Sequence, residues 1–212
     1  VFSSRSFILA PAAALTAGAA LGVLAPLLEM SDAPAGHMAH LVLAAGWSWA
    51  ALAFCVGLAR KSRIESAVLA PASLIAAVIT YYATKLERGK FLAADLSNPS
   101  QGAQLYWDGF SSKTVFWCAA AATLGALLGL AGNLARNRGI QGLPFRTLVP
   151  LIAFIETSER LRVEASLQGA VAGATWSVTR LVAVTVFVVL VGQTVINLRP
   201  RASAGQGKER TG

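Results

Sequence analysis

The chain of 212 residues is 55% hydrophobic and only 13% charged, with a mean hydropathy of +0.59, values that exclude an ordinary soluble domain of this length. Its formal charge of +8 comes from 18 Lys and Arg against 10 Asp and Glu. The basic residues stand at the ends of apolar runs, which points to lipid headgroups as partners and away from nucleic acid.

Apolar runs of about 20 residues, the length that crosses roughly 30 Å of hydrocarbon at 1.5 Å per residue, recur at 5–28, 38–59, 65–86, 112–135, 143–161 and 175–198. They predict an all-α, polytopic membrane bundle of six transmembrane helices, a single domain over residues 1–199, followed by a disordered basic tail over 200–212, "PRASAGQGKERTG", that carries no chemistry.

The first run follows Arg5 and is longer than the h-region of a signal peptide, with Pro26 where a cleavage site would need small residues, so it reads as a span. The second begins with His37 and His40, which read as solvated, and places Trp47, Trp49 and Phe54 near its middle, beside Cys55. Cys55 and Cys118 both lie inside spans, where a thiol is a small apolar packing residue rather than half of a disulfide or a metal ligand. Tyr81 and Tyr82 fall in the outer part of the third span and Trp117 in the outer part of the fourth. Between them lies the longest connection, 89–111, whose "LSNPSQG" is rich in turn formers and suits a lid or an interfacial segment. Gly125, Gly129 and Gly132 recur at helical spacing in the fourth span, a pattern of close helix packing. Trp107 and Trp176 sit near span ends and read as interfacial belt residues.

Arg60, Lys61 and Arg63, with Arg136 and Arg138, share a side with Arg5 and with Arg199, Arg201, Lys208 and Arg210 of the tail. The opposite connections carry Glu29 and Asp32 with no Lys or Arg, and Glu87, Asp95 and Asp108 beside Arg88, Lys90 and Lys113, so both termini are expected in the cytoplasm, although Arg160, Arg162 and Arg180 count against this orientation.

The fifth run poses the chemical question. "PLIAFIETSERLRVEA" begins as a membrane helix and then places Glu156, Glu159, Arg160, Arg162 and Glu164 within a few turns. Glu156 and Arg160, like Arg160 and Glu164, are spaced for local pairing on one helix face, and the last four of these residues read as a solvated helix end. Glu156 follows an unbroken apolar turn, about 20 Å along the axis from Leu143, and a carboxyl group at that depth must face the bundle, water or a cation.

A cavity walled by the aromatic faces of Trp47, Trp49, Phe54, Tyr81, Tyr82 and Trp117 and holding a protonated, desolvated acid has a defined chemical use. The acid protonates an alkene, and the ring quadrupoles stabilise the carbocation. Glu156 is the first candidate for that acid, Asp108 the second and Glu87 the third, the latter two standing where the long connection can close over the cavity. No paired acidic cluster of the "DDxxD" kind is present to hold a magnesium diphosphate, and neither GxSxG nor HExxH occurs, so no metal and no cofactor is expected.

"GWSWAALAFCVGLARKS", "AAVITYYATK", "WCAAAATLGALLGLAGNLAR" and "GLPFRTLVPLIAFIE", in that order, resemble a family of small polytopic actinobacterial membrane proteins, mostly of unassigned function. That family includes membrane-bound terpene cyclases of drimentine-type indole alkaloid pathways. The resemblance spans the chain from the second to the fifth run and rests on apolar, Gly-rich motifs. It implies a metal-independent, class II-like cyclisation of a farnesyl chain attached to an indole or related aromatic group, with an apolar prenylated small molecule and the bilayer as partners. A small-solute transporter and a non-catalytic membrane scaffold remain open alternatives, and the sequence leaves the oligomeric state undetermined.

Overall fold

The computed structural model describes residues 4–94, 103–163 and 165–205. Eight α-helices account for nearly all of it: α1 Ser4–Leu28, α2 Pro34–Ala44, α3 Gly46–Leu58, α4 Arg63–Glu87, α5 Trp107–Leu134, α6 Leu143–Arg146, α7 Leu148–Val163 and α8 Ala165–Gly205. Two three-residue strands, β1 Leu92–Ala94 and β2 Ala103–Leu105, pair antiparallel with Leu92 opposite Leu105, and so add a small ladder to the otherwise all-α chain. The "LSNPSQG" stretch expected to supply a lid lies outside the described residues.

Four helices are long and apolar enough to cross a membrane, within α1, α4, α5 and α8, and a fifth span results if α2 and α3 are taken as one. Four or five candidate spans stand where six are expected, and the difference lies in two places. The 38–59 run is broken at Ala45, where an extended backbone (φ −70°, ψ 142°) bends α2 against α3 by 61°. The 143–161 run divides into the single turn of α6 and the 16 residues of α7, and α7, at about 24 Å, falls short of the hydrocarbon thickness and carries Glu156, Glu159, Arg160 and Arg162. A hydropathy average does not see the break at Ala45, which falls within apolar sequence, whereas the one at Thr147 directly follows Arg146.

The ends of these elements explain themselves locally. Ser62 caps α4 by accepting from the Glu65 amide at 3.4 Å, the Ser-x-x-Glu arrangement of a helix start. Gly169 interrupts α8 at φ 81°, ψ −176°, a region essentially reserved for glycine. α8 continues to Gly205, so the first residues expected in a disordered tail are helical, while 206–212 lie outside the described residues.

Two packed groups make up the molecule. In the first, α4 is central, with α1 and α5 against it and α3 against α5. Its core is Ala53, Ala70, Leu74, Val78 and Ala121. In the second, α7 and α8 form a hairpin that leans on α3 and α2 through a cluster of Leu41, Ala45, Ala172 and Trp176. The space between these two groups holds the candidate site.

Candidate functional site: an aromatic cavity closed by a helix break

A broken helix inside a membrane leaves backbone donors and acceptors that no water can satisfy, each at a cost of several kcal/mol. At the α2–α3 break, side chains of α3 and α7 take up these groups. The hydroxyl of Ser48 donates to Val42 O and the indole Nε1 of Trp49 donates to Leu43 O at 3.0 Å, which covers the carbonyls at the end of α2. At the start of α3, Glu156 of α7 accepts from Gly46 N at 2.9 Å and from Trp47 N at 2.7 Å. A carboxylate suits the N-terminus of a helix because the exposed amides and the helix dipole both favour negative charge. Arg160, one turn further along α7, binds Oε1 of Glu156 through Nε at 3.0 Å and through Nη2 at 2.9 Å.

The carboxylate therefore acts as an acceptor in every one of these contacts. It fixes the break, and through the break it fixes Trp49, which is tied to Leu43 and meets Tyr81 edge-on at 5.8 Å. Tyr81 meets Tyr82 edge-on at 5.4 Å. Such perpendicular contacts set positive ring edges against negative ring faces and lock the orientation of each ring.

These rings border a cavity of about 760 Å³ between α3, α4, α5 and α7. Its lining includes Gly46, Trp49 and Ala50 of α3; Leu74, Val78, Tyr81 and Tyr82 of α4; Trp117, Ala121, Leu124, Leu127 and Leu128 of α5; and Leu148, Ile152, Glu156 and Arg160 of α7. Among the described residues Glu156 and Arg160 are its only charged groups. From Trp117 to Leu128 the α5 wall runs roughly 17 Å along the helix axis, and over most of that length the surface is aliphatic. One side is open. α7 packs on α8 and α3, and the facing α5 residues Trp117, Leu124 and Leu127 are 49%, 55% and 65% exposed although they line the cavity. The opening lies along α5, one of the helices long and apolar enough to cross a membrane.

Of the residues expected at the site, Trp49, Tyr81, Tyr82, Trp117 and Glu156 come together. Trp47 does not. Two residues along a helix are about 200° apart around its axis, so when Trp49 faces the cavity Trp47 faces the opposite way, where it packs against the Leu41, Ala45, Ala172 and Trp176 cluster. Phe54 is buried on the α5–α6 side with Ala131, Ala135, Phe145 and Leu148. Asp108, in the first turn of α5, and Glu87, at the last residue of α4, are exposed and line no part of the cavity.

Two further residues stand elsewhere than the sequence places them. Arg160 belongs to the site rather than to a solvated helix end, and the signal for it was its spacing of four from Glu156. Trp176, expected at the interface, is fully buried, with the Arg160 guanidinium over its ring at 4.9 Å.

Beyond the end of the cavity nearest the C-terminus of α4, Lys85 sits over the Tyr81 ring at 4.8 Å and pairs with Glu29 at 3.9 Å. Burial pushes the Glu29 carboxyl up, but the hydrogen bond from Lys90 and the charges of Lys85, Lys90 and His40 outweigh it and hold the group below its ordinary value. This acid stays ionised as the anchor of the two lysines and is unsuited to donating a proton. No family model, no curated protein and no solved structure matches this chain.

Proposed function

We propose that the chain is a multi-pass cell-membrane protein that binds a prenylated apolar small molecule in the α3–α4–α5–α7 cavity and closes its farnesyl chain by protonation-initiated cyclisation. The observation that carries the reading is the cavity wall itself: Trp49, Tyr81, Tyr82 and Trp117 border an aliphatic channel whose single acid, among the described residues, is Glu156. A volume of about 760 Å³ lies within the roughly 300–1,000 Å³ of small-molecule sites. The opening toward the bilayer suits a ligand too apolar to arrive through water, and the resemblance noted in the sequence supplies the class, a farnesyl chain on an indole or related aromatic group.

In this reaction a carboxylic acid transfers its proton to the terminal alkene, ring bonds form as the cation moves along the chain, and a base removes a proton from the last cation. The product is an isomer of the substrate. The aromatic faces stabilise the passing positive charge. In this structure Glu156 only accepts, from Arg160 and from two amides, so its use as the donor requires the Arg160 contact to break and one oxygen to turn to the cavity. A second reading is favoured by the hydrogen bonds Glu156 makes to Gly46, Trp47 and Arg160, which suffice for a binding scaffold in which the carboxylate has a purely architectural duty.

Protein reconstituted in vesicles and given a synthetic farnesylated indole is expected to yield cyclised products of unchanged mass, seen as new chromatographic peaks by mass spectrometry. Tyr81→Leu is expected to change the ratio of these products while leaving the amount of folded protein unchanged. No product from the wild-type protein would remove the enzyme reading and leave the scaffold.

The finer topology belongs to the same proposal: α6 and α7 together serve as a short sixth crossing, and both termini lie in the cytoplasm. Single cysteines placed by Ser3→Cys and Ser203→Cys are then expected to react with a membrane-impermeant maleimide from the same face. Labelling from opposite faces rejects this arrangement.

A further inference from the structure

At the end of the molecule remote from Glu29, the connections α3–α4 and α5–α6 are tied together at one carbonyl. Arg60 O accepts from Asn133 Nδ2 at 2.7 Å and from Arg136 Nη1 at 3.2 Å, and Arg136 reaches Leu58 O as well at 3.3 Å. Arg146 closes the next turn by donating to Ala135 O at 2.8 Å and to Asn137 O at 2.6 Å. Two guanidinium groups are thus spent on the last carbonyls of α3 and α5, a use that fits the negative ends of those helices.

The consequence is a fixed ridge carrying four other cations, Arg60, Lys61, Arg63 and Arg138. Among the described residues none of these four has a carboxylate partner; neither connection holds an acid, and the nearest in sequence is Glu65 in the first turn of α4. Beside them stand two bare aliphatic side chains, Ile64 at 77% and Ile140 at 64% exposed.

We propose that this ridge is a binding site for the headgroup of an anionic phospholipid. The cations match the phosphate charge, and such clusters next to transmembrane helices attract acidic lipids. The isoleucines decide which source of phosphate it is. A free phosphate or nucleotide has no use for exposed aliphatic groups at the edge of a charged site, whereas a phospholipid brings its glycerol and acyl chains to that place. The site is separate from the aromatic cavity, and it stands whether or not the cavity is catalytic.

The test uses the full chain in phosphatidylcholine nanodiscs, with phosphatidylglycerol added stepwise and lipid retention read by native mass spectrometry alongside the unfolding temperature. Phosphatidylglycerol is expected to be retained preferentially and to raise the unfolding temperature. The triple variant Arg60→Gln, Arg63→Gln, Arg138→Gln is expected to bind it at least tenfold more weakly with the unfolding temperature in phosphatidylcholine unchanged. Arg136 and Arg146 are left in place because they hold the ridge. Should the triple variant fail to fold, Lys61→Gln, on an exposed side chain, is expected to weaken retention about threefold on its own. Ile64→Ser with Ile140→Ser is expected to weaken phosphatidylglycerol retention too, and millimolar inorganic phosphate is expected to leave it intact. Equal retention by wild type and the charge variants overturns the proposal. Displacement by inorganic phosphate, with the isoleucine variants silent, overturns it in favour of a free-phosphate site.

Discussion

Glu156→Gln is expected to lower cyclisation of a farnesylated indole by at least a hundredfold, the lower end of what general acid catalysis contributes, about 10²–10⁴, while the protein still folds. Glutamine has no proton to give an alkene, yet its carbonyl oxygen can still accept from one of the two amides that Glu156 holds, Gly46 N or Trp47 N. Glu156→Leu separates the two duties. Leucine leaves both amides without an acceptor inside the bundle and removes the carboxylate from beside Arg160. An unsatisfied buried amide costs about 1–3 kcal/mol; Trp47 N is partly buried whereas Gly46 is exposed, so the leucine variant is expected to lose roughly 1–3 kcal/mol and to unfold below the glutamine variant in detergent micelles. Turnover and the unfolding midpoint are measured on the same preparations. A glutamine variant with full turnover moves the proton donor away from Glu156. One that unfolds as early as the leucine variant assigns the carboxylate to the helix break alone and favours the scaffold.

That double role shows where reading from sequence stops. The depth and isolation of Glu156 were legible, because a charged residue after an unbroken apolar turn has few places to go in a membrane. Its partners were not, since Gly46 and Trp47 lie more than a hundred residues away in the chain and present backbone amides, which carry no signature in composition. The break that exposes those amides was also hidden, because Ala45 and its neighbours are as apolar as the helices on either side. Trp49, Tyr81, Tyr82 and Trp117 were legible as a group from residue type and depth. Trp47 was wrongly added to them because depth alone says nothing about which way a side chain faces, and a break that resets the phase of α3 removes the guide that helical periodicity would give. Asp108 and Glu87 were candidates only for want of other acids near the outer end, and both ended at exposed helix termini. The aliphatic lining, Leu74, Val78, Leu124 and Leu128, could not have been singled out, since every span is rich in such residues.

Close helix contact, by contrast, was written plainly in the glycines, and Gly129 carries the other large expected effect. Three helices converge on it. A Cβ added at Gly129 would run into Ser66 O and the Ala70 side chain of α4, and one added at Gly57 of α3 would meet the Gly129 backbone itself. The obstacles are largely backbone atoms, which no rotamer change can move aside, so α5 must shift bodily from α3 and α4. Overpacking of a filled core costs about 1–3 kcal/mol, and Gly129→Val is expected to reach or exceed that range, with a lower unfolding midpoint and little monodisperse protein after extraction. The cavity should suffer with the fold, since Leu127 and Leu128 precede Gly129 on the same helix and line it. The control is Gly192→Ala in α8, where an added Cβ meets nothing within 4 Å and relief of the glycine's helix penalty is worth roughly 0.5–1 kcal/mol. That variant is expected to be neutral or slightly more stable. If Gly129→Val left the midpoint in place while Gly192→Ala lowered it, the packing of α3, α4 and α5 around one glycine would have to be abandoned, and with it the geometry that sets Trp49 against Tyr81.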